Sequence, residues 1–162
     1  MKVPFNRPTK EQIRELPVYK GVDLDNIIVV SNKEEAIDAV SELMQYSVLG
    51  FDTESKPTFK KGEVSSGPHL IQLSCLSKTF IFPSLFPDVI SEVAKVLANS
   101  NIKKVGFGLS DDKKALINKF SIKVENTVEL SSKVKKFTGV KQNVGARAAV
   151  AMLFGQRLTK SA

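Results

Sequence analysis

The sequence is poor in cysteine and histidine and has no long hydrophobic run. Its one cysteine, Cys75, cannot form an internal disulfide, and the apolar residues around it predict a buried, unreactive thiol. Catalysis by a nucleophile and a histidine base would require His69, the single histidine, but no serine or cysteine is paired with it in the local sequence. We therefore predict a structural role for His69.

Membrane insertion and secretion are not predicted from the sequence. No apolar run approaches the length of about 20 residues that a membrane-spanning helix needs. The N-terminal residues MKVPFNRPTKEQ lack the apolar region of a secretory signal. We therefore expect a cytoplasmic protein with no membrane partner. The 162 residues, of which 42% are hydrophobic, are enough for one domain with one core.

The net charge of +7 is concentrated toward the C-terminal end of the sequence. Residues 1–112 carry 13 Lys and Arg against 15 Asp and Glu, whereas residues 113–162 carry 11 against 2. A basic face of this kind is either simply solvated or binds an anionic polymer, because Lys and Arg displace counterions from phosphates. Composition alone leaves both interpretations open.

Hydrophobic periodicity predicts an α/β fold. Residues 1–25 contain prolines and show little periodicity beyond one short turn, so we predict an N-terminal arm, with the domain proper at 26–162. The remainder predicts elements in the order strand, helix, three strands, helix, strand, helix, strand, helices. The three consecutive strands have short connections and are expected to be antiparallel. This order predicts a mixed sheet with flanking helices.

Acidic residues follow two of the predicted strands. Asp52 and Glu54 end one apolar run, and they should project to one face about 6.6 Å apart because side chains alternate along a strand. A second predicted strand, 104–109, leads through a turn to Asp111 and Asp112 at the start of a helix. Solvated strand ends or helix caps would explain each pair separately. Together, the first pair and one of the two aspartates supply three hard oxygen ligands suited to Mg²⁺ or Mn²⁺.

Three sequence motifs resemble those of a known enzyme family. They are VLGFDTE, HLIQLS and KVGFGLSDDKKAL. They resemble the bacterial 3'-5' exonucleases of the DEDD superfamily, the group of ribonuclease D and of the Werner-type exonuclease domains. The resemblance implies a ribonuclease H-like fold. It also implies a two-metal mechanism that releases nucleoside monophosphates from single-stranded DNA or RNA ends.

The resemblance also implies roles for the acidic residues. Asp52 would bridge two Mg²⁺ or Mn²⁺ ions, Glu54 would bind the ion that activates the attacking water, and Asp112 would bind the second ion. The family pattern G-x-G-[IL]-x-x-D-x-x-x-L starts at Gly106, and it selects Asp112 over Asp111.

The sequence departs from the family at its third motif, a Tyr four residues before an Asp on a late helix. No Asp follows Asp112, and both tyrosines, Tyr19 and Tyr46, precede the first motif. The C-terminal helix of the family is therefore expected to be missing. Glu129 stands at a family position that is usually Asp, and we do not assign it as a ligand.

The departure leaves two alternatives to an active exonuclease. One is a catalytically impaired nucleic-acid-binding module, and the other is a truncated or split exonuclease fragment. Loss of a helix would expose apolar surface, which predicts either a homodimer or a missing C-terminal segment that covers it.

A basic loop after the first acidic pair is the candidate contact for single-stranded nucleic acid. A basic loop with one aromatic residue suits a single-stranded backbone with a stacked base. An exposed loop with no binding role is the alternative. The candidate contacts are Lys56, Phe59, Lys60 and Lys61 in this loop, and Arg147 on the last predicted helix.

Overall fold

The protein, described here as a computed structural model, divides into two compact units. Unit 1 comprises Met1–Gly21 with Glu129–Ala162, and unit 2 comprises Val22–Val128. The structure describes residues 5–159, so the first residues of the predicted arm and the last three of the predicted domain lie outside the described residues. No helix in the described range is long and apolar enough to cross a membrane.

Six strands form one mixed sheet. The elements in chain order are α1 (Lys10–Arg14), β1 (Ile27–Val29), α2 (Lys33–Leu43), β2 (Val48–Glu54), β3 (Leu70–Ser74), β4 (Thr79–Pro83), α3 (Pro87–Leu97), β5 (Lys103–Gly106), α4 (Leu109–Phe120), β6 (Thr127–Glu129), α5 (Leu130–Thr138) and α6 (Ala146–Phe154). The strand order in the sheet is β1-β4-β3-β2-β5-β6. Strand β3 is antiparallel to β2 and β4, while β1 pairs with β4 and β5 pairs with β2 in parallel. The predicted α/β class and the three antiparallel strands are confirmed.

The core of unit 2 follows from the alternation of side chains along the central strands. Every second residue of β3 and β4 and of the first half of β2 is buried, and helix α3 contributes an apolar face that packs on this side of the sheet. Cys75 is buried and free, as predicted. The largest fully buried apolar side chains are Phe82, Leu43, Leu49, Ile71, Leu73, Leu97 and Leu116.

Lys104 on β5 is a fully buried charged residue within this core. Its Nζ atom donates hydrogen bonds to the carbonyl oxygens of Asn99 (2.7 Å), Ile102 (2.7 Å) and Glu125 (2.8 Å). Burial lowers the pKa of the Lys104 ammonium group to about 8, against the raising effect of the Glu125 carboxylate. The lysine therefore ties the turn before β5 to the segment that follows α4.

The strand before the second acidic pair ends earlier than predicted, and the helix that carries the pair begins one residue earlier. The prediction placed the strand at 104–109, but β5 ends at Gly106 and α4 already begins at Leu109. Gly108 has a φ of +69°, a left-handed conformation that cannot continue a strand and that glycine adopts without steric cost. The turn is therefore tighter than the apolar run indicated.

Gly106 makes the closest backbone approach at this turn. A Cβ atom on Gly106 would lie 2.4 Å from the carbonyl oxygen of Phe51 and 2.7 Å from a methyl carbon of Leu109. Only a residue without a side chain fits between β2 and the start of α4. The position of α4 against β2 therefore depends on this glycine.

Unit 1 joins the N-terminal segment to the residues after α6. Helix α1 starts with a capping box between Thr9 and Gln12, which confirms the short turn predicted in the arm. The Arg157 amide donates to the carbonyl of Pro17 (2.8 Å), and the Tyr19 amide donates to the carbonyl of Arg157 (2.8 Å). The Arg157 Nε atom also donates to the carbonyl of Leu16 (2.9 Å). These bonds fix the arm to the C-terminal part of unit 1.

Helix α6 buries its alanines and exposes its apolar end. Ala148, Ala149 and Ala151 are buried, whereas Phe154 is 62% exposed. The homodimer and the covering C-terminal segment stay predictions.

We expect Gly106→Ala to lower the free energy of unfolding by about 1–3 kcal/mol, the usual cost of overpacking. Gly50→Ala on β2 is the matched control, because its Cβ would meet the Ser74 Cβ at 3.5 Å, an ordinary contact. Both changes restrict the unfolded chain in the same way, so their difference reports the native state. Urea unfolding of both variants and the wild type measures it, and equal stabilities would contradict the tight packing at Gly106.

Candidate functional site

The C-terminal end of β2 carries the first acidic pair out of the core. Leu49 and Phe51 are buried, and the strand then leaves the core at Asp52, Thr53 and Glu54. Strand β2 is still paired here, since Asp52 is opposite Gln72 and Glu54 is opposite Leu70 on β3. Rigid sheet backbone therefore holds both carboxylates at the end of β2, as the sequence predicted.

Asp112 in the first turn of α4 faces the same strand end. The Thr53 hydroxyl donates a hydrogen bond to its Oδ1 atom. Asp111 precedes it and is exposed, with no such bond to β2 among the described residues. Of the two aspartates at this helix start, the one that the family pattern selected is the one that contacts β2.

The carboxylates interact electrostatically. Burial raises the pKa of the Asp52 carboxyl to about 6; the negative charge of Asp112, and to a lesser extent that of Glu54, acts in the same direction. The Thr53 amide, which donates to Asp52 Oδ1 at 2.9 Å, partly opposes this rise. Asp52 therefore lies at the centre of a concentration of negative charge.

Three of the four acidic residues, Glu54, Asp111 and Asp112, line two neighbouring cavities of unit 2. A cavity of about 660 Å³ contains Asp111 and Asp112 together with Thr53, and a second of about 610 Å³ contains Glu54. Ser55 and Lys119 line both cavities. The acids are therefore close enough to influence one another's charge but open toward different cavities.

The chemistry of the carboxylates favours metal binding, whereas their arrangement does not. Asp52, Glu54 and Asp112 supply the hard oxygen donors that Mg²⁺ and Mn²⁺ prefer, and the repulsion at Asp52 is of the kind that a bound cation relieves. Within residues 5–159, however, no three His, Cys, Asp or Glu side chains form a group that could hold a metal ion. The chemistry of the donors fits a divalent cation, while the side chains are not gathered into one ligand set.

The basic loop after β2 presents its predicted contacts to solvent. Phe59 is 89% exposed, and Lys60 and Lys61 are also exposed in a turn where the Glu63 amide donates to the Lys60 carbonyl (3.0 Å). Lys56 lies at the start of the loop and lines the cavity that contains Glu54. The structure thus places Lys56 beside Glu54 and leaves Phe59, Lys60 and Lys61 exposed in the loop. Arg147, the fifth candidate, lies on α6 in unit 1.

His69 fastens the two ends of this loop. The Lys56 amide donates to His69 Nδ1 at 2.9 Å, so the neutral ring carries its proton on Nε2, which lies 3.1 Å from the Ser66 hydroxyl. Burial lowers the pKa of His69, and the charges of Lys119 and Lys56 lower it further, which favours the neutral ring. These bonds give His69 the structural role that the sequence predicted.

Lys119 and Thr53 are site residues that the sequence did not identify. Lys119 donates from Nζ to the carbonyl of Ser66 and to that of Pro68 (3.3 Å), so it contacts the far end of the basic loop. It lies seven residues after Asp112, about two helical turns, and hence on the same face of α4. That spacing was visible in the sequence, whereas the contact of Thr53 with Asp112 depends on the packing of α4 against β2.

Comparison with known proteins places these features in a family. The family model of the 3'-5' exonuclease matches residues 27–162. The mouse (Mus musculus) bifunctional 3'-5' exonuclease/ATP-dependent helicase WRN is 31% identical over 129 residues, which are 76% of this chain. The match spans 9% of the mouse protein.

The solved structures with a similar fold include the following two. The Nibbler EXO domain from Aedes aegypti has a TM-score of 0.72 and 22% identity, covering 86% of this chain and 73% of that one. Trypanosoma brucei RNase D in complex with RNA U12 has a TM-score of 0.71 and 20% identity, covering 91% of this chain and 50% of that one. These similarities confirm the predicted ribonuclease H-like fold.

We expect His69→Asn to keep the start of the basic loop in place and His69→Gln to release it. The Asn side-chain oxygen reaches the position of Nδ1 and accepts from the Lys56 amide, whereas the longer Gln side chain places its polar atoms near the position of Nε2. Amide hydrogen exchange at Lys56 measures this difference. Equal protection in both variants would show that the Nδ1 bond does not hold the loop.

Proposed function

Because the chain belongs to the 3'-5' exonuclease family, we propose that it hydrolyses single-stranded nucleic-acid ends to nucleoside monophosphates. The observation that carries the proposal is the concentration of negative charge at Asp52, to which Asp112 and Glu54 contribute. Carboxylates that repel one another at a strand end are typical of a site that needs a cation to become neutral. The whole mouse relative is much longer, so only its exonuclease activity bears on the proposal.

We propose that Asp52, Glu54 and Asp112 hold two divalent ions, Mg²⁺ or Mn²⁺. When bound, such ions supply positive charge beside a phosphodiester and lower the pKa of water to about 7. The chain itself supplies the fixed part of the site. Asp52 and Glu54 lie on paired β strand, and the start of α4 that carries Asp112 is held by the tight turn at Gly106.

The basic residues beside the acids position the nucleic acid in this proposal. Lys56 and Lys119 line the cavity that contains Glu54, and their ammonium groups offset the charge of a phosphate that approaches the carboxylates. Phe59 offers an exposed ring on which an unpaired base can stack, between the basic residues of the loop. Backbone charge and stacking select a single strand and do not distinguish DNA from RNA.

A nucleic-acid-binding module with impaired catalysis is the second candidate. The observation that favours it is that no three metal-ligating side chains are gathered together among residues 5–159. Such a module would bind single strands through the same basic loop and would leave their 3' ends intact. The two candidates therefore differ in hydrolysis and agree in binding.

We expect Asp52→Asn to reduce metal-dependent shortening of a 5'-labelled single strand by more than about 100-fold, because outer-shell changes alone cost about 10- to 100-fold at metal sites. The matched control is Asp38→Asn, which neutralises an exposed acid on α2. The measurement follows the ladder of shortened products with Mg²⁺, with Mn²⁺ and with a chelator.

Three outcomes of this experiment count against the metal-dependent exonuclease. They are shortening that persists in the chelator, full activity of Asp52→Asn, and a wild type that binds the strand but never shortens it. The last outcome supports the binding module instead.

We expect Asp112→Asn to lower the same activity far more than Asp111→Asn. The two residues are neighbours on α4, but only Asp112 accepts the Thr53 hydroxyl and influences the charge of Asp52. Initial rates at saturating metal measure the difference, and thermal unfolding checks that both variants are folded. Similar losses in both variants would mean that Asp112 has no special place in the site.

A further inference from the structure

All four arginines of the chain line one cavity. The sequence has 20 lysines but only 4 arginines, and each of the arginines belongs to unit 1. They surround a cavity of about 670 Å³, a volume within the range of about 300–1,000 Å³ typical of ligand sites. The cationic residues at this cavity are Arg7, Lys10, Arg14, Arg147 and Arg157.

These positive charges are not neutralised by the surrounding protein. No acidic residue lines the cavity in the part of the chain that the structure describes, and none of its five cations is in an ion pair there. Unit 1 carries 12 Lys and Arg against 3 Asp and Glu, whereas unit 2 carries 12 against 14. The cavity therefore has a strongly positive potential that an anion would relieve.

The cavity is built on fixed backbone from both ends of the chain. Arg157 joins the N-terminal segment to the residues after α6 through its backbone and its Nε atom. The first turn of α6 contributes Gly145, Arg147 and Ala148, and Gly145 provides no side-chain cap for this nine-residue helix. Amide groups in a first helical turn carry partial positive charge, which adds to that of the side chains.

The chemistry of these residues selects phosphate groups as ligands. A guanidinium group donates two parallel hydrogen bonds to a phosphate, which an ammonium group cannot do. Four guanidinium groups around one cavity can bind more than one phosphate in this way, so the cavity suits a ligand with several phosphates. Arg7, Lys10, Arg14 and Arg147 are exposed, so the cavity is open to solvent and an extended chain can reach several of its cations.

We propose that this arginine cavity binds consecutive backbone phosphates of a single-stranded nucleic acid. The inference rests on the proposed function, because the exonuclease substrate identifies the polymer. It adds a binding site that contains none of the three carboxylates and one of the predicted contacts, Arg147. The arginines fix the strand by its phosphates and carry no base specificity.

The test compares two triple variants that lose the same charge. Arg7→Gln/Arg14→Gln/Arg147→Gln removes three exposed arginines of the cavity and leaves Arg157, which holds the arm, in place. Lys133→Gln/Lys136→Gln/Lys141→Gln removes three exposed lysines of unit 1 that do not line the cavity. Fluorescence anisotropy in a chelator measures binding of a single-stranded oligonucleotide of about 12 nucleotides without hydrolysis.

We expect the arginine variant to bind the oligonucleotide at least about tenfold more weakly than the lysine variant at moderate salt. The slope of log affinity against log salt, which is negative, should be less negative by about 2 in the arginine variant than in the wild type. This change is about 0.7 for each of three lost phosphate contacts. Equal affinities and equal slopes in the two triple variants would overturn the proposal, because the loss would then be that of net charge alone.

A third variant, Arg7→Lys/Arg14→Lys/Arg147→Lys, keeps the positive charge and removes the planar guanidinium groups that donate paired hydrogen bonds. It should bind more weakly than the wild type while keeping most of the salt slope. It also remains informative if the glutamine variant fails to fold. Wild-type affinity in this variant would overturn the arginine-specific part of the proposal.

The source of the phosphates is tested with ADP as competitor. ADP, added at the same total concentration of phosphate groups as the oligonucleotide, should not displace it, because two phosphates engage only some of the cations of the cavity. If ADP displaces the oligonucleotide from the wild type at that concentration but not from the arginine variant, the cavity binds a free nucleotide. That result would overturn the nucleic-acid proposal.

Separate measurements of binding and hydrolysis distinguish a failure of this inference from a failure of the proposed function. Arginine-dependent binding by a wild type that never shortens the strand would support the cavity and count against the exonuclease. Metal-dependent shortening together with arginine-independent binding would do the reverse.

Discussion

The contact between the Gly106 backbone and the Phe51 carbonyl is the constraint on which the candidate active site depends. No side chain fits between them, so the start of α4 lies directly against the end of β2. This approach brings Asp112 within reach of the Thr53 hydroxyl, and Lys119, two turns later, to the carbonyls of the basic loop. A steric property of one glycine thus determines where the charges of the site are placed.

Unit 2 contains a buried charged residue whose hydrogen bonds are satisfied, Lys104, and acids at the end of β2 whose charge is not neutralised. Lys104 is fully buried, but three carbonyl oxygens accept its hydrogen bonds, so it contributes to the fold. Asp52 accepts one hydrogen bond, from the Thr53 amide. Burial and the neighbouring negative charges raise its pKa. Natural proteins tolerate such unsatisfied charge mainly where a ligand completes it, which is why the acids and not the lysine indicate function.

Arginine is confined to one of the two units, whereas lysine occurs in both. Unit 2 contains the acids of the proposed metal site and only lysines as cations, whereas unit 1 contains every arginine of the chain. Lysine acts as a flexible point charge, and arginine as a planar donor of paired hydrogen bonds. The separation agrees with two kinds of phosphate contact, adaptable ones beside the carboxylates and geometrically defined ones in unit 1.

The sequence by itself determined the α/β class, the antiparallel β2–β3–β4, the burial of Cys75, and the motifs that indicate the exonuclease family. These follow from local periodicity and from short patterns around Asp52 and Asp112. Only the tertiary structure decided the end of β5 at Gly106, the contact of Thr53 with Asp112, the division of the acids between two cavities, and the gathering of the arginines. The last three depend on packing between residues far apart in the chain, and the end of β5 depends on the left-handed turn at Gly108 together with the packing of Gly106 against Phe51, which hydrophobic periodicity does not encode.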